Sequence, residues 1–167
     1  MKAVAKGAML GAGVGVGAIL LSRPVARTRV TATLRSLPRV LLARVERVEE
    51  EPRVIPFVRS VDVERRGADD AVYLVRVCAA GVAGWARFHK RFDRVANQAH
   101  WSTLDGFLAF EQTGSISFIS DPDGRTLAVV ETRTRFALPV VGRAMAQACR
   151  PWLAAAFAEW LARLDDP

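Results

Sequence analysis

The sequence is poor in the residues from which disulfide frameworks and metal sites are built. Its 167 residues include only two cysteines and two histidines. This scarcity argues against a small disulfide-stapled domain and against a cysteine- and histidine-rich zinc site. Cys78 and Cys149 lie far apart, each among apolar neighbours. This setting favours two buried free thiols, with a disulfide between them as the alternative.

An excess of one charge is missing from most of the chain, although the formal net charge is +7. Residues 1–54 hold ten Lys and Arg against four acids, whereas residues 55–167 hold fourteen against thirteen. Only three of the basic residues are lysines. A nucleic-acid-binding domain carries its basic patch on the folded body. The near neutrality of residues 55–167 therefore predicts that nucleic acid is not a partner.

Long apolar runs are also absent, with one exception near the N-terminus. The segment from Gly7 to Leu21 is an uninterrupted apolar run, with Lys2 and Lys6 before it and several arginines after it. A helix over residues 3–21 has about the length that a single membrane span requires, if Lys6 reaches the lipid interface. We therefore expect residues 3–21 to anchor the protein in a membrane. The arginines that follow place the domain on the cytoplasmic side.

Two other interpretations of the same segment stay open. A secretory signal peptide, with export after cleavage, has the same basic start and apolar middle, although no small-x-small cleavage site follows Leu21. A disordered tail is the second. The spacing of Gly7, Gly11 and Gly15 would also allow self-association between such helices. A dinucleotide-binding fingerprint at Gly13 is not predicted, because it starts too close to the N-terminus and because Arg23-Pro24 would cut off the long helix that must follow it.

The pattern divides the chain into a segment over residues 1–26 and one domain over residues 27–167. A strand is predicted over residues 27–34, and a helix begins at Ser36-Leu37-Pro38. Three glutamates and Pro52 are expected to end this helix, with their acids on a solvated face. Alternation then predicts strands over residues 58–65, 71–79, 83–95, 98–105, 107–120 and 125–138, followed by a long helix over residues 140–164 that Pro151 kinks. Closely spaced strands without intervening helices favour an antiparallel meander.

Several short motifs appear in a characteristic order along this domain. They are IPFVRSVDV at residues 55–63, HWSTLDG at 100–106, Gly114-x-x-x-Phe118, DGRT at 123–126, and Phe136-x-Leu138-Pro139. Residues 27–164 thereby resemble the START-like helix-grip superfamily, which includes polyketide cyclase/dehydrase, coenzyme Q-binding and lipid-transport families. The resemblance implies an α+β fold, in which a curved antiparallel sheet of six to seven strands wraps around a long C-terminal helix. It also implies a cavity for a lipid, quinone or polyketide.

Strand alternation predicts which side chains face that cavity. Successive side chains of a strand point to opposite faces, so outward-facing charges such as Arg76, Arg87 and Glu131 place their sequence neighbours on the inner face. Together with one face of the last helix, the predicted lining residues are mostly apolar: Tyr73, Val75, Phe88, Phe110, Gln112, Ile116, Phe118, Val130, Thr132, Thr134, Met145, Cys149 and Trp152. Such a composition suits a binding pocket. A completely filled core is the alternative.

The sequence shows no catalytic constellation, and no metal or cofactor is predicted. His89 and His100 are expected on neighbouring strands but out of register. Glu111 and Glu131 could form a carboxylate pair for acid–base chemistry, but a solvent-facing position beside arginines is the simpler expectation. We therefore predict a non-enzymatic, membrane-tethered carrier of a hydrophobic small molecule. The alternatives are a polyketide cyclase or dehydratase and a protein-interaction scaffold.

Overall fold

The computed structural model describes residues 24–79, 82–106, 110–136 and 139–166. The predicted anchor over residues 3–21 and its glycine spacing lie outside these ranges, so the division of the chain at residue 26 stays a prediction. Within the described ranges, no helix combines the length and the apolarity that crossing a membrane requires.

Seven antiparallel strands form one sheet in the spatial order β1-β7-β6-β5-β4-β3-β2. The strands are β1 (Val25–Leu34), β2 (Val58–Arg66), β3 (Asp70–Ala79), β4 (Val82–Asp93), β5 (Gln98–Gly106), β6 (Phe110–Ser120) and β7 (Thr126–Phe136). Sequential strands from β2 to β7 pair as a meander, and β1 returns to pair with β7. The predicted α+β helix-grip architecture is confirmed.

The predicted fourth strand was two residues too long at its C-terminal end. β4 ends at Asp93, because residues 94–97 form a turn. One carboxylate oxygen of Asp93 accepts hydrogen bonds from the backbone N–H groups of Val95 and Ala96. Asn97 completes the turn with a positive φ of 52°. Asparagine tolerates this left-handed conformation better than most residues, which sets the register of β4 against β5.

Three short helical segments connect β1 to β2. They comprise α1 (Pro38–Glu46), one turn of 3-10 helix (Val48–Glu50) and α2 (Glu51–Val54). The prediction that Glu49 to Pro52 ends a helix was wrong, because Pro52 lies in the first turn of α2. A proline in that position loses no helical hydrogen bond, since the first N–H groups of a helix have no partner within it.

The long C-terminal helix, α3 (Pro139–Asp165), packs against the sheet, mainly β1 and β7. Its helical assignment continues through the exposed Pro151. Buried residues of its C-terminal half, among them Phe157, Trp160 and Leu161, join the main core with side chains of α1 and the strands. Burial of these large apolar side chains holds the helix on the sheet.

Polar contacts hold the end of α3 against the start of α1. Both carboxylate oxygens of Asp165 accept backbone N–H groups, from Arg35 at 2.8 Å and Ser36 at 2.9 Å. The guanidinium of Arg44 donates to the carbonyls of Leu164 and Asp166. The bonds from Arg44 satisfy carbonyls that a helix end leaves without partners.

Candidate ligand-binding cavity

A cavity of about 560 Å³ lies between the inner face of the sheet and α3. The sheet wall comes mainly from β3 and β4, with one residue each from β2, β5 and β6 and two from β7, while α2, the loop after it and α3 supply the remainder. Most of the lining is apolar: Ile55, Phe57, Val58, Val75, Val77, Ala83, Gly84, Trp85, Ala86, Phe88, Trp101, Phe136, Met145, Ala148, Cys149, Trp152, Leu153, Phe157 and Trp160. The polar side chains on the wall are Glu51, Tyr73, Lys90, Gln112 and Thr134.

The two ends of the cavity differ in exposure. At one end, Trp152 of α3 is 38% exposed. At the other, Lys90 and Trp160 are each 3% exposed. Inward-facing residues of β4 connect the ends from Gly84 to Lys90, a distance of about 20 Å at the usual rise per residue. The cavity is therefore a pocket with a solvent-facing mouth and a buried inner end.

A polar cluster of Glu51, Tyr73 and Lys90 forms the inner end. The ammonium of Lys90 lies 2.8 Å from Oε1 of Glu51, and the Tyr73 hydroxyl donates to the same oxygen over 3.1 Å. Burial, followed by the negative charge and hydrogen bond of Glu51, holds the pKa of Tyr73 well above its ordinary value. The expectation that the three glutamates form a solvated face was therefore wrong for Glu51, which is 8% exposed.

Two further groups place polarity nearer the middle of the cavity. The side-chain amide of Gln112 donates to the hydroxyl of Thr134 over 3.1 Å, across the pair that joins β6 to β7. Cys149 faces them from α3, and its burial raises the pKa of its thiol. Cys149 and Cys78 are both free thiols, as predicted, but each is half-buried and not fully buried as expected.

Aromatic side chains form much of the wall opposite the strands. The rings of Phe57 and Trp152 lie 4.8 Å apart near the mouth. Trp101 contacts Phe157 and Trp160 at centroid distances of 6.5 Å, close to the inner end. Tilted and edge-on contacts of this kind stabilise the wall beyond the area that they bury.

Eight of the thirteen residues predicted to line the cavity do so. They are Tyr73, Val75, Phe88, Gln112, Thr134, Met145, Cys149 and Trp152. Whether these residues contact a ligand stays a prediction. The side chain of Phe110 lies outside the described part of the structure.

The four other predicted residues share the inner face of β6 and β7 but are not on the cavity wall. Ile116, Phe118 and Val130 are at most 2% exposed and belong to the same core cluster as Leu41 and Leu42 of α1. Helix α1 thus fills the end of the sheet where they lie. Thr132 lies beside them, and its buried hydroxyl has no hydrogen-bond partner among the described residues.

The sequence interpretation missed both charged residues of the wall. Lys90 alternates with Phe88 and Phe92, so the same alternation that predicted Phe88 also indicated an inward-facing lysine. Glu51 gave no comparable signal, because it stands among acidic neighbours in a very short helix. The aromatic residues Trp101, Phe157 and Trp160 were also missed, although the last two lie on the apolar face of α3.

The remaining candidate acid–base groups lie outside the cavity. His89 contacts Asp70 at 2.9 Å, and this contact lowers the pKa of that carboxyl group, with a further contribution from Arg65. Glu131 pairs with Arg29 at 3.4 Å. Among the described residues, no group of three or more His, Cys, Asp or Glu side chains could hold a metal ion.

A second depression, of about 620 Å³, lies on the opposite face of β3 and β4. It is lined by only six residues of these two strands: Leu74, Arg76, Ala83, Gly84, Trp85 and Arg87. Because no element of the described part of the chain covers it, it lacks the enclosure that small-molecule sites usually have. The enclosed cavity is therefore the stronger candidate site.

No family model and no curated protein sequence matches the chain. Solved structures do match its fold. An aromatase/cyclase, Zhui, from Streptomyces sp. R1128 is 15% identical with a TM-score of 0.75, over 84% of this chain and 94% of that one. A START superfamily protein from Mycobacterium smegmatis is 17% identical with a TM-score of 0.66, over 86% and 99%.

A major latex-like protein from Panax ginseng is 14% identical with a TM-score of 0.66, again over 86% of this chain and 99% of that one. At such identities the likeness concerns the backbone and carries no information about individual site residues. The sheet order, the position of α3 and these matches agree. The chain has the START-like helix-grip fold.

Proposed function

We propose that the protein binds a hydrophobic small molecule in the cavity between its sheet and α3. The observation that carries the proposal is a partly enclosed space of about 560 Å³ whose wall is overwhelmingly apolar. Protein cores are close-packed, and voids larger than one water molecule are few. An apolar space of this volume is poorly suited to water and well suited to a ligand of drug-like size.

The arrangement of the wall supports reversible binding. The mouth is flanked by Trp152, which is partly exposed, while the inner end is closed by buried groups. A ligand can therefore enter with its apolar body in contact with aromatic rings throughout. The solved structures that share the fold include a START superfamily protein.

The whole sequence favours one form of this function, a carrier that is attached to a membrane. The apolar run over residues 3–21 would hold the mouth of the cavity near a lipid phase, on the cytoplasmic side. Extraction of the full-length protein from cell membranes with alkaline carbonate tests this part separately. Retention in the pellet supports the tether, and release into the supernatant contradicts it.

A cyclase or dehydratase that acts on a polyketide is the second candidate. The observation in its favour is the set of hydroxyl and amide groups on the wall, Tyr73, Gln112 and Thr134, which could orient a reactive chain. The Zhui aromatase/cyclase has the same fold. Replacement of Tyr73 or Gln112 would then lower turnover more than substrate binding.

The ligand itself can be sought directly. The full-length protein is purified from detergent-free membranes, and native mass spectrometry is followed by solvent extraction of bound molecules. We expect one bound apolar molecule per chain. A protein that carries none, and that also fails to take up the aromatic hydrocarbon pyrene from solution, would contradict the proposed function.

A further inference from the structure

The inner end of the cavity contains the only charged side chains among the described residues that line it, Glu51 and Lys90. We infer that these two residues and Tyr73 form a polar subsite for one uncharged oxygen group, such as a ketone carbonyl, at the leading end of the ligand. The inference rests on the proposed function and specifies the chemistry of its ligand.

The ammonium group of Lys90 has hydrogen-bond donors that the described residues do not use. A lysine ammonium has three donors and no acceptor. Among the described residues, Lys90 has one acceptor within hydrogen-bond distance, Oε1 of Glu51. The hydroxyl proton of Tyr73 is directed to that same oxygen. Two donors of Lys90 are thus left for a partner that the described residues do not provide, in a side chain that is 3% exposed.

The balance of charge determines which partner fits. Glu51 and Lys90 neutralise one another, so an uncharged acceptor adds no net charge to the buried end. A carboxylate would leave one uncompensated negative charge there, and the desolvation of such a charge is strongly unfavourable. A ligand without polar atoms would leave the donors of Lys90 without a partner. An oxygen that accepts hydrogen bonds and carries no charge satisfies both conditions.

The residue types at the inner end are unusual for this chain. Tyr73 is its only tyrosine, and Lys90 is its only lysine beyond residue 6, whereas every other cationic side chain from Arg23 onward is an arginine. An ammonium is a compact charge with rotatable donors, while a guanidinium presents a rigid planar fork. The narrow inner end thus has the cation that can direct its donors toward a single oxygen atom.

A purely structural role is the competing explanation. The ion pair joins α2 to β4, and replacement of a buried pair by apolar residues is often neutral for stability. Stability alone therefore does not require these charges. The two explanations differ in one respect that can be measured, because only a subsite discriminates between ligands that differ in a single oxygen group.

The test compares three ligands with the same ring system: naphthalene, methyl naphthyl ketone and naphthoate. Each displaces pyrene, a fluorescent hydrocarbon without hydrogen-bonding atoms, from the full-length protein. The variant is Glu51→Gln with Lys90→Met, since a single replacement would leave one buried charge and could prevent folding. Arg91→Met, an exposed position next to Lys90, is the matched control.

In the unmodified protein, we expect naphthoate to bind more weakly than naphthalene. In the double variant, the ketone should lose about tenfold in affinity, as expected for loss of a hydrogen bond to a charged donor, while naphthalene keeps its affinity. The control should change neither. An equal effect of the double variant on ketone and naphthalene, or none on the ketone, overturns the subsite but leaves the cavity as a binding site. Failure of pyrene and of all three ligands to bind the unmodified protein overturns the proposed function as well.

Discussion

The indole ring of Trp101 lies over Gly114, its partner across the pairing of β5 with β6. A Cβ atom built on Gly114 would overlap the ring, so no larger residue fits while Trp101 keeps its position. Trp101 lines the inner half of the cavity and contacts Phe157 and Trp160. Because Gly114 of β6 has no side chain, the indole of Trp101 on the neighbouring strand β5 can lie over it and form part of the cavity wall.

Replacement of Gly114 by alanine should move this ring. We expect Gly114→Ala to lower the free energy of unfolding by about 1–3 kcal/mol, the usual range for overpacking, and to weaken pyrene binding. Urea unfolding and a pyrene titration measure the two effects. Ser115→Ala, which changes the next residue on the other face of β6, is the control. Equal behaviour of the two variants would show that the indole does not depend on Gly114.

The buried ion pair should appear as strong coupling in a thermodynamic cycle. Removal of one partner, in Lys90→Met or Glu51→Gln, leaves the other charge buried and should cost about 3–5 kcal/mol. The double variant should cost much less than the sum of the two single changes. Urea unfolding of the four proteins measures the coupling, and strictly additive losses would mean that the two side chains do not interact.

The contacts of Asp165 predict a pH-dependent contribution to stability. Burial raises the pKa of Asp165, but the backbone N–H groups of Arg35 and Ser36 outweigh that effect and bring the pKa below the ordinary 3.8. A carboxyl group whose pKa is lower in the folded state stabilises the fold above its unfolded pKa. This contribution disappears as the pH falls through the folded-state value.

Asp165→Asn should therefore lower the free energy of unfolding by about 1 kcal/mol at neutral pH, a modest figure because the carboxylate is partly exposed. The difference from the unmodified protein should shrink as the pH falls below 3.8. Asp166→Asn, at the exposed neighbouring position, is the control for a general charge effect. A difference that stays constant from neutral to strongly acid pH would exclude the carboxylate as its source.

The rate at which the Cys149 thiol is alkylated should depend on its burial in the cavity wall and on whether the cavity is occupied. Because burial raises its pKa, we expect the rate of its alkylation by iodoacetamide to keep increasing with pH beyond 9.0, the ordinary thiol value. The measurement uses a Cys78→Ser variant, in which Cys149 is the only cysteine. Bound pyrene should slow the reaction of Cys149 but not that of Cys78 in a Cys149→Ser variant. Equal protection of both thiols would point to a general effect of pyrene on the protein.

The order of the elements and one face of the strands could be predicted from the sequence, since both depend on local pattern. Alternation around Arg76 and Arg87 placed Tyr73, Val75 and Phe88 on the inner face, and the structure brings all three to the cavity wall. The motif residue Gly114 was noticed only as part of a resemblance. Its physical reason, the close approach of Trp101, depends on pairing between strands and is visible only in three dimensions.

The length of the cavity and its charged end could not be predicted in the same way. Alternation identifies a face of a strand but not how far along it the cavity extends, so Ile116 and Phe118 were included although α1 covers them. The contact between Glu51 and Lys90 joins two residues that are 39 positions apart in the sequence. That contact depends on the orientation of α2, whose first residue points toward β4. No periodic pattern in the sequence predicts this orientation.

The central claim, that the enclosed cavity binds an apolar molecule, is tested most directly by closing its mouth. Ala148 of α3 lines the cavity and is also exposed to solvent, whereas the adjacent Gln147 is exposed but does not line the cavity. Pyrene binding is titrated by fluorescence in full-length Ala148→Trp and in the matched control Gln147→Trp. We predict a loss of affinity of at least about tenfold in Ala148→Trp only, since the indole occupies ligand space. Unchanged pyrene affinity in both variants would contradict the account.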